Sequence, residues 1–184
     1  NAEKIILCLS GFISAIGTVM LPKVSRMTRM KQMDAVKRHI RLSMELVMCM
    51  VCAMAFGLAA VAVNFAPLFY GDDFAYSGTL MMPLAFTLLS IGFANVIRTQ
   101  WVLPQGRDTI FVHSVLTGAV INLIANFVLI PPFGAMGAAA ATVLAEFSVP
   151  AVQFVYLRKE LPYAQYLKTT GVYCLFGLVM AGAV

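Results

Sequence analysis

Residues 109–156 read TIFVHSVLTGAVINLIANFVLI, then the short link PPFG, then AMGAAAATVLAEFSVPAVQFVY. Each of the two apolar runs is 22 residues long. About 20 helical residues span the roughly 30 Å hydrocarbon core of a bilayer. Because Pro-Pro and Gly end one helix before another begins, this stretch predicts two transmembrane helices joined by a tight turn.

Three similar runs precede this stretch, at residues 5–21, 43–65 and 77–103, and a sixth begins near Tyr166. The chain is 61% hydrophobic and only 11% charged, whereas soluble domains carry about 25% charged residues. The alternating pattern of a closed β-barrel, the other architecture that satisfies its backbone within a bilayer, is absent from the sequence. We therefore expect an all-α, polytopic transmembrane helical bundle with about five full spans and a truncated sixth.

The bundle is expected to occupy residues 1–184 as a single unit, since no linker or low-complexity segment divides them. A hydrophobic run begins within five residues of Asn1, and the last residues lie in another apolar run. These boundaries favour a chain that is the carboxy-terminal part of a larger membrane protein.

The links between the runs alternate in charge. Links 22–42, 104–108 and 157–162 contain Lys and Arg, whereas links 70–76 and 131–134 contain neither. Link 22–42 alone carries seven of the 13 cations. The positive-inside rule places the basic links in the cytoplasm, so the net charge of +5 reflects membrane orientation and predicts no nucleic-acid partner.

Link 22–42 also has apolar residues at three- and four-residue spacing, among them Met27, Val36 and Ile40. This spacing is typical of an amphipathic helix that lies on the inner leaflet and turns its cations to anionic head groups. A solvated connector between two spans is the alternative.

Three spans carry polar or small residues on one helical face, where spacing of three or four aligns side chains. The sets are Thr87, Asn95, Arg98 and Thr99 in the third span, Ser114, Gly118, Asn122 and Asn126 in the fourth, and Thr142, Glu146 and Gln153 in the fifth. Such faces point toward a bundle interior or a water-filled cavity. Hydrogen bonding between packed helices is the structural alternative for the asparagines.

Glu146 and Arg98 are the ionisable residues of these faces. Glu146 lies twelve positions from both Gly134 and Arg158, near the bilayer midplane, where an unpaired carboxylate costs at least about 2.5–3.5 kcal/mol. This depth favours a group that binds and releases a proton, although a paired structural Glu is the alternative. Arg98 lies about 9 Å from the inner boundary, where it could pair with Glu146, extend to water, or hold an anionic substrate.

The sequence predicts neither catalytic residues nor a metal site, and hence no enzyme. Cys49 and Cys52 form a C-x-x-C, but no second pair or His completes a zinc site. We expect no cofactor, and coupling to protons or sodium stays open.

The ordered motifs of the chain resemble the carboxy-terminal lobe of polysaccharide-export flippases of the Wzx type, in the multidrug/oligosaccharidyl-lipid/polysaccharide (MOP) superfamily. The motifs are Leu21-Pro-Lys23, Phe69-Tyr-Gly71 through Phe74, Gln100 followed by Leu103-Pro-Gln-Gly-Arg107, Asn122 to Asn126 before Ile130-Pro131, and Gly137-Ala-Ala-Ala140 continuing to Glu146. The resemblance covers nearly all 184 residues. It implies a MATE/MurJ-like lobe, from its second to its sixth helix, with the start of an extra helix.

Flippases of this type move undecaprenyl-diphosphate-linked oligosaccharides across the bacterial cytoplasmic membrane by alternating access. The resemblance thus implies a multi-pass inner-membrane protein of surface polysaccharide biosynthesis, such as that of O-antigen. Its partners would be the bilayer, the lipid-linked oligosaccharide and other polysaccharide-assembly proteins. Arg98, Asn95, Asn122 and Asn126 are the implied cavity residues that bind the substrate, and Glu146 is the implied coupling or gating group.

Three other functions stay open. A MATE-like multidrug or cation exporter would favour acidic cavity residues, and here one acid and one cation are present. A membrane glycan polymerase or ligase would need catalytic groups in an outer loop, where the links offer only Asp72 and Asp73. A non-transporting assembly subunit would have no need for polar faces inside its spans.

Overall fold

The structure, a computed structural model, describes residues 2–71 and 75–182. Within these ranges the elements are α1 (Ala2–Arg29), α2 (Met33–Tyr70), α3 (Ala75–Ala85), α4 (Thr87–Ile97), α5 (Asp108–Leu157) and α6 (Tyr163–Gly182). A π-helical turn and a 3-10 turn, which together cover residues 98–105, continue α4. The predicted all-α transmembrane bundle is confirmed, whereas Asp72 and Asp73 lie outside the described residues.

Four helical stretches among the described residues are long and apolar enough to cross a membrane. They are Glu3–Arg29, Met33–Leu68, Tyr76–Gln105 and Asp108–Leu157. The last stretch has 50 residues, about twice the length that a bilayer needs. It therefore corresponds to two of the predicted spans.

α5 folds back on itself as a helical hairpin. Gly134 has φ 55° and ψ −130°, a combination that glycine adopts far more readily than other residues. A Cβ on Gly137 would lie 2.1 Å from the carbonyl oxygen of Leu129, and one on Gly118 would lie 3.1 Å from Cγ2 of Val149. Since Gly118 and Val149 are 31 positions apart, the two halves of α5 must run antiparallel. They are the predicted fourth and fifth spans.

The third span follows the predicted path but is not a uniform helix. It is interrupted at Phe86, where the backbone amides of Phe86 and Leu89 bond to carbonyls three residues back, those of Pro83 and Phe86, instead of four. The Thr87 hydroxyl donates to the Leu84 carbonyl at 2.6 Å and so satisfies an acceptor at the break. The span then widens into the π-helical turn at residues 98–102.

The expected surface helix in link 22–42 is wrong, and so is the alternative of a separate connector. α1 continues to Arg29, and α2 already begins at Met33. The turn between them has Lys31 at φ 57°. Val36 and Ile40 are only 1% and 0% exposed. Because these apolar residues pack in the bundle core, they cannot form a membrane-binding face.

α2 lies at the centre of the core, and α6 packs along it. Met44, Met48 and Val51 of α2 are fully buried. The Sγ atoms of Cys52 and Cys174 are 3.8 Å apart, and Gly177 lies directly against the Phe56 ring. From the first contact to the second, the residue numbers rise on both helices, from Cys52 to Phe56 on α2 and from Cys174 to Gly177 on α6. The two helices therefore run parallel. α6 is the predicted sixth segment and begins at Tyr163.

The basic links meet at one end of the bundle, which we call the basic end. Arg107 Nη1 contacts the two carboxylate oxygens of Glu160 at 2.6 and 2.8 Å. Trp101 Nε1 donates to the same carboxylate at 3.0 Å, and the Lys37 ammonium lies 5.9 Å from the Trp101 ring centroid. These contacts join the turns after α4 and α5 to the start of α2, as the alternating link charges predict.

Candidate functional site

A cavity of about 500 Å³ lies between α1, α4 and the two halves of α5. The polar faces predicted for the third, fourth and fifth spans converge on it. The polar side chains that α4, its π-helical turn and α5 contribute to the lining are Asn95, Arg98, Asn122, Thr142, Glu146 and Gln153. The structure thus brings together four of the five site residues selected from the sequence.

Arg98 is half-buried in this lining and is held by two neighbours. Its Nη2 donates to Asn95 Oδ1 at 3.0 Å, and its guanidinium carbon lies 4.9 Å from the centroid of the Phe111 ring. Nε is buried and has no hydrogen-bond partner within residues 2–71 and 75–182. No ion pair with Glu146 is found in the same ranges. The guanidinium therefore keeps hydrogen-bonding capacity for a further acceptor.

Asn95 connects α4 to α1 as well as lining the cavity. Its Nδ2 donates to the Ile13 carbonyl at 2.9 Å, while its Oδ1 accepts from Arg98. The side chain packs on Gly17, where a Cβ would lie 3.0 Å from Nδ2. With both ends of its amide engaged, Asn95 orients Arg98 and is less available as a direct contact for a ligand.

The asparagines of the fourth span occupy different positions. Asn122 lines the cavity, whereas Asn126 does not. The two are joined by a hydrogen bond of 2.9 Å from Asn126 Nδ2 to Asn122 Oδ1. Ser114 bonds to the Phe111 carbonyl of its own helix at 2.8 Å, and Gly118 packs against the second half of α5. On the polar face of the fourth span, Ser114 and Gly118 therefore serve helix structure and packing, and Asn122 lines the cavity.

Glu146 lines the cavity from the second half of α5 and is partly buried. Its backbone carbonyl accepts a hydrogen bond from the Ser90 hydroxyl, which fixes this part of α5 against α4. The carboxylate is thus placed by a rigid helix contact beside the cavity that also contains Arg98 and Asn122.

Gln153 lies on the polar face predicted for the fifth span and also lines the cavity, although it is not among the predicted site residues. It is 1% exposed, and its Oε1 has no hydrogen-bond partner in the part of the chain that the structure describes. Its spacing of seven from Glu146 was the available signal. The sequence does not predict the contribution of Phe111, because its position over Arg98 depends on how the fourth span docks against the third.

The cavity combines one guanidinium, one carboxylate and several amides in a largely apolar wall. Such a site can bind an anionic or hydroxyl-rich group through the cation and the amides. The carboxylate can exchange a proton. Within residues 2–71 and 75–182 no cluster of His, Cys, Asp and Glu is suited to hold a metal ion.

Comparison with known proteins places the chain among flippases. A Shigella dysenteriae protein provisionally named as an O-antigen transporter is 23% identical over 136 residues, which cover 74% of this chain and 33% of that protein. A Haloferax volcanii protein provisionally named as the low-salt glycan biosynthesis flippase Agl15 is 23% identical over 172 residues, or 93% of this chain and 36% of that protein. The chain spans about a third of the length of these curated relatives.

A solved structure of the lipid II flippase MurJ, in an inward closed conformation, has the same fold. It matches with a TM-score of 0.80 and 17% identity over 99% of this chain and 39% of that one. The pattern that defines the family described as "Lipid II flippase MurJ" matches residues 1–184. Flippases are transporters and not enzymes, and the resemblance to MOP-superfamily flippases is confirmed. The chain belongs to the lipid II flippase MurJ family.

Proposed function

We propose that the chain is part of a transporter that moves oligosaccharide linked to undecaprenyl diphosphate across the bacterial cytoplasmic membrane. The observation that carries the proposal is the membrane-embedded cavity in which Arg98, Asn122, Glu146 and Gln153 converge. Polar groups at this depth are costly unless they border water or a polar ligand. Surface polysaccharide biosynthesis is the proposed setting, and the proteins that assemble the polysaccharide are proposed partners.

Arg98 is the proposed contact for the diphosphate. Its guanidinium is oriented by Asn95 and supported by the Phe111 ring, so little side-chain freedom remains to be lost on binding. The charge-assisted hydrogen bonds of Arg with phosphate oxygens are among the strongest available to a side chain. Asn122 and Gln153 are the proposed partners for sugar hydroxyls, and Asn126 supports Asn122 from the next turn.

Glu146 is the proposed coupling or gating group. The Glu146 carboxyl group lines the same cavity as Arg98. It can be protonated and neutral while the cavity is dry, and ionised when water enters. Proton coupling fits this exchange, and sodium is the alternative. The break at Phe86 and the π-helical turn at residues 98–102 support the proposal, since interrupted helices line the binding sites of many transporters.

A cation exporter of the MATE type is the second candidate, and Glu146 is the observation that favours it. In that case Glu146 would bind the cargo, and Arg98 would oppose it by charge repulsion. The cation in the lining therefore favours an anionic cargo. A glycan polymerase or ligase is not favoured, because the family is one of flippases.

The test is a flipping assay with the native full-length protein in proteoliposomes. A fluorescent lipid-linked oligosaccharide is followed by its loss of accessibility to a membrane-impermeant quencher. We expect Arg98→Gln to slow flipping about 10- to 100-fold, because a hydrogen bond to a charged group contributes about 1.5–3 kcal/mol. Arg158→Gln, which removes an exposed cation from the basic end, is the matched control and should flip normally.

Glu146→Gln separates the two candidates. For a glycan flippase, the variant should retain binding of the lipid-linked substrate but lose the dependence of its transport on a pH gradient. For a cation exporter, the variant should lose binding of organic cations. Flipping by Arg98→Gln at the rate of the unmodified protein would contradict the proposed role of the guanidinium.

A further inference from the structure

A second cavity, of about 190 Å³, opens at the basic end between the third and fourth turns of α2 and the first two turns of α6. It is separate from the polar cavity, and none of its lining residues is shared with it. The groups with hydrogen-bonding or charged ends in its lining are Arg41, Glu45, Gln165, Tyr166, Lys168 and Thr169. We call this the α2–α6 pocket.

The α2–α6 pocket has a net positive charge. Arg41 and Lys168 supply two cations, and Glu45 supplies one carboxylate. Arg41 Nε lies 3.2 Å from Glu45 Oε1. That contact uses one edge of the guanidinium, while the Nη groups stay available. Lys168 adds an exposed ammonium from the facing helix.

Tyr166 supplies an independent indication of a ligand. The side chain is 1% exposed, and its buried hydroxyl has no hydrogen-bond partner in the described part of the chain. A buried hydroxyl without a partner is unfavourable, so such groups in native structures call for an explanation. A ligand oxygen in the pocket that Tyr166 lines would accept this hydrogen bond.

The pocket lies where the two helices pass from polar to apolar sequence. Arg41 is the last cation of α2, and Lys168 is the last charged residue of α6. On α6, Val172 lies one helical turn beyond Lys168 and Thr169, and Leu175 lies two turns beyond Lys168. Both apolar side chains are exposed. Polar head groups and acyl chains of a bilayer meet at this same boundary.

We propose that the α2–α6 pocket binds the phosphate of an anionic glycerophospholipid, with its acyl chains along Val172 and Leu175. Arg41, Lys168 and the Tyr166 hydroxyl are the phosphate ligands. Basic pockets between transmembrane helices at the cytoplasmic side bind such head groups. The bound lipid joins α6 to α2, and this site is independent of the transported substrate.

The experiment titrates lipid into the detergent-solubilised, native full-length protein and follows its thermal unfolding. Phosphatidylglycerol is compared with zwitterionic phosphatidylcholine and with inorganic phosphate. We expect phosphatidylglycerol to raise the Tm and Arg41→Gln or Lys168→Gln to weaken its apparent affinity about tenfold. Tyr166→Phe keeps the ring that packs in the core and should weaken the affinity by a smaller factor.

Arg38→Gln and Lys159→Gln are the matched controls, because each removes an exposed cation of the basic end that does not line the pocket. Both should retain the affinity of the unmodified protein. Equal weakening in controls and pocket variants would overturn the proposal, since only surface charge would then attract the lipid. Inorganic phosphate that reproduces the full Tm shift would overturn the lipid assignment and leave a site for a free anion.

Discussion

The substitution Gly137→Ala is predicted to destabilise the α5 hairpin. A Cβ at this position would lie 2.1 Å from the oxygen and 2.5 Å from the carbon of the Leu129 carbonyl, whereas carbon and oxygen rarely approach within about 3.3 Å. The two halves of α5 would have to separate by roughly 1 Å. Because both opposing atoms belong to the backbone, no change of side-chain rotamer can relieve the contact.

Overpacking of this kind costs about 1–3 kcal/mol. For a chain of this length 1 kcal/mol corresponds to about 2–4 °C in Tm. We therefore expect the Tm of Gly137→Ala to fall by about 2–12 °C, measured by thermal unfolding of the purified protein in detergent.

Gly171→Ala is the matched control for this experiment. It lies within α6, and nothing is found within 4 Å of a Cβ built there. Alanine is a better helix former than glycine by about 1 kcal/mol, so this variant should melt at the same temperature or higher. If Gly137→Ala melts as high as the unmodified protein, the close antiparallel packing at the hairpin tip is incorrect.

Three further predictions concern the turn, the α6 contact and the basic end. Gly134→Ala meets no neighbouring atom but must adopt φ 55° and ψ −130°, so it should cost about 1–3 kcal/mol in unfolding free energy measured in denaturant; an unchanged value would exclude this backbone conformation. Copper phenanthroline should convert Cys52 and Cys174, whose sulfurs are 3.8 Å apart, to a disulfide detected by mass spectrometry of digested protein. Cys52→Ser, which removes one of the two sulfurs, is the negative control, and absence of the cross-link in the unmodified protein would contradict the docking of α6. A double-mutant cycle with Arg107→Gln and Glu160→Gln should give a coupling of about 0.2–1 kcal/mol that shrinks in high salt, because both side chains are about one-third exposed; zero coupling at low salt would argue against the pair.

The membrane architecture and much of the cavity could be predicted because their signals are local. An apolar run of bilayer length specifies a span, and Pro-Pro-Phe-Gly between two runs specifies a turn. Spacing of three or four residues specifies which side chains share a face. Asn95, Arg98, Asn122 and Glu146 follow from these rules together with the cost of exposing polar groups to lipid.

The features that were not predicted depend on contacts between distant segments. Link 22–42 has the spacing of a surface helix, but its apolar face packs in the core because α1 and α2 extend beyond the hydrophobic runs. The pair of Arg107 and Glu160 joins two links that are 53 positions apart. Arg98 was expected to have several possible partners, and only the packing of α4 against α1 selects Asn95.

The π-helical turn that follows α4 has a consequence for the angular placement of side chains. Ile91, Ala94 and Arg98 follow the spacing of a regular α-helix along one stripe, which in an uninterrupted helix would continue to Trp101. A π-turn accommodates one additional residue, and each residue of a helix is rotated by about 100° from the one before. Trp101 lies inside this turn, does not line the cavity, and contacts Glu160 and Lys37 instead. One π-helical turn thus places a guanidinium at the polar cavity and an aromatic ring among the charged side chains of the basic end.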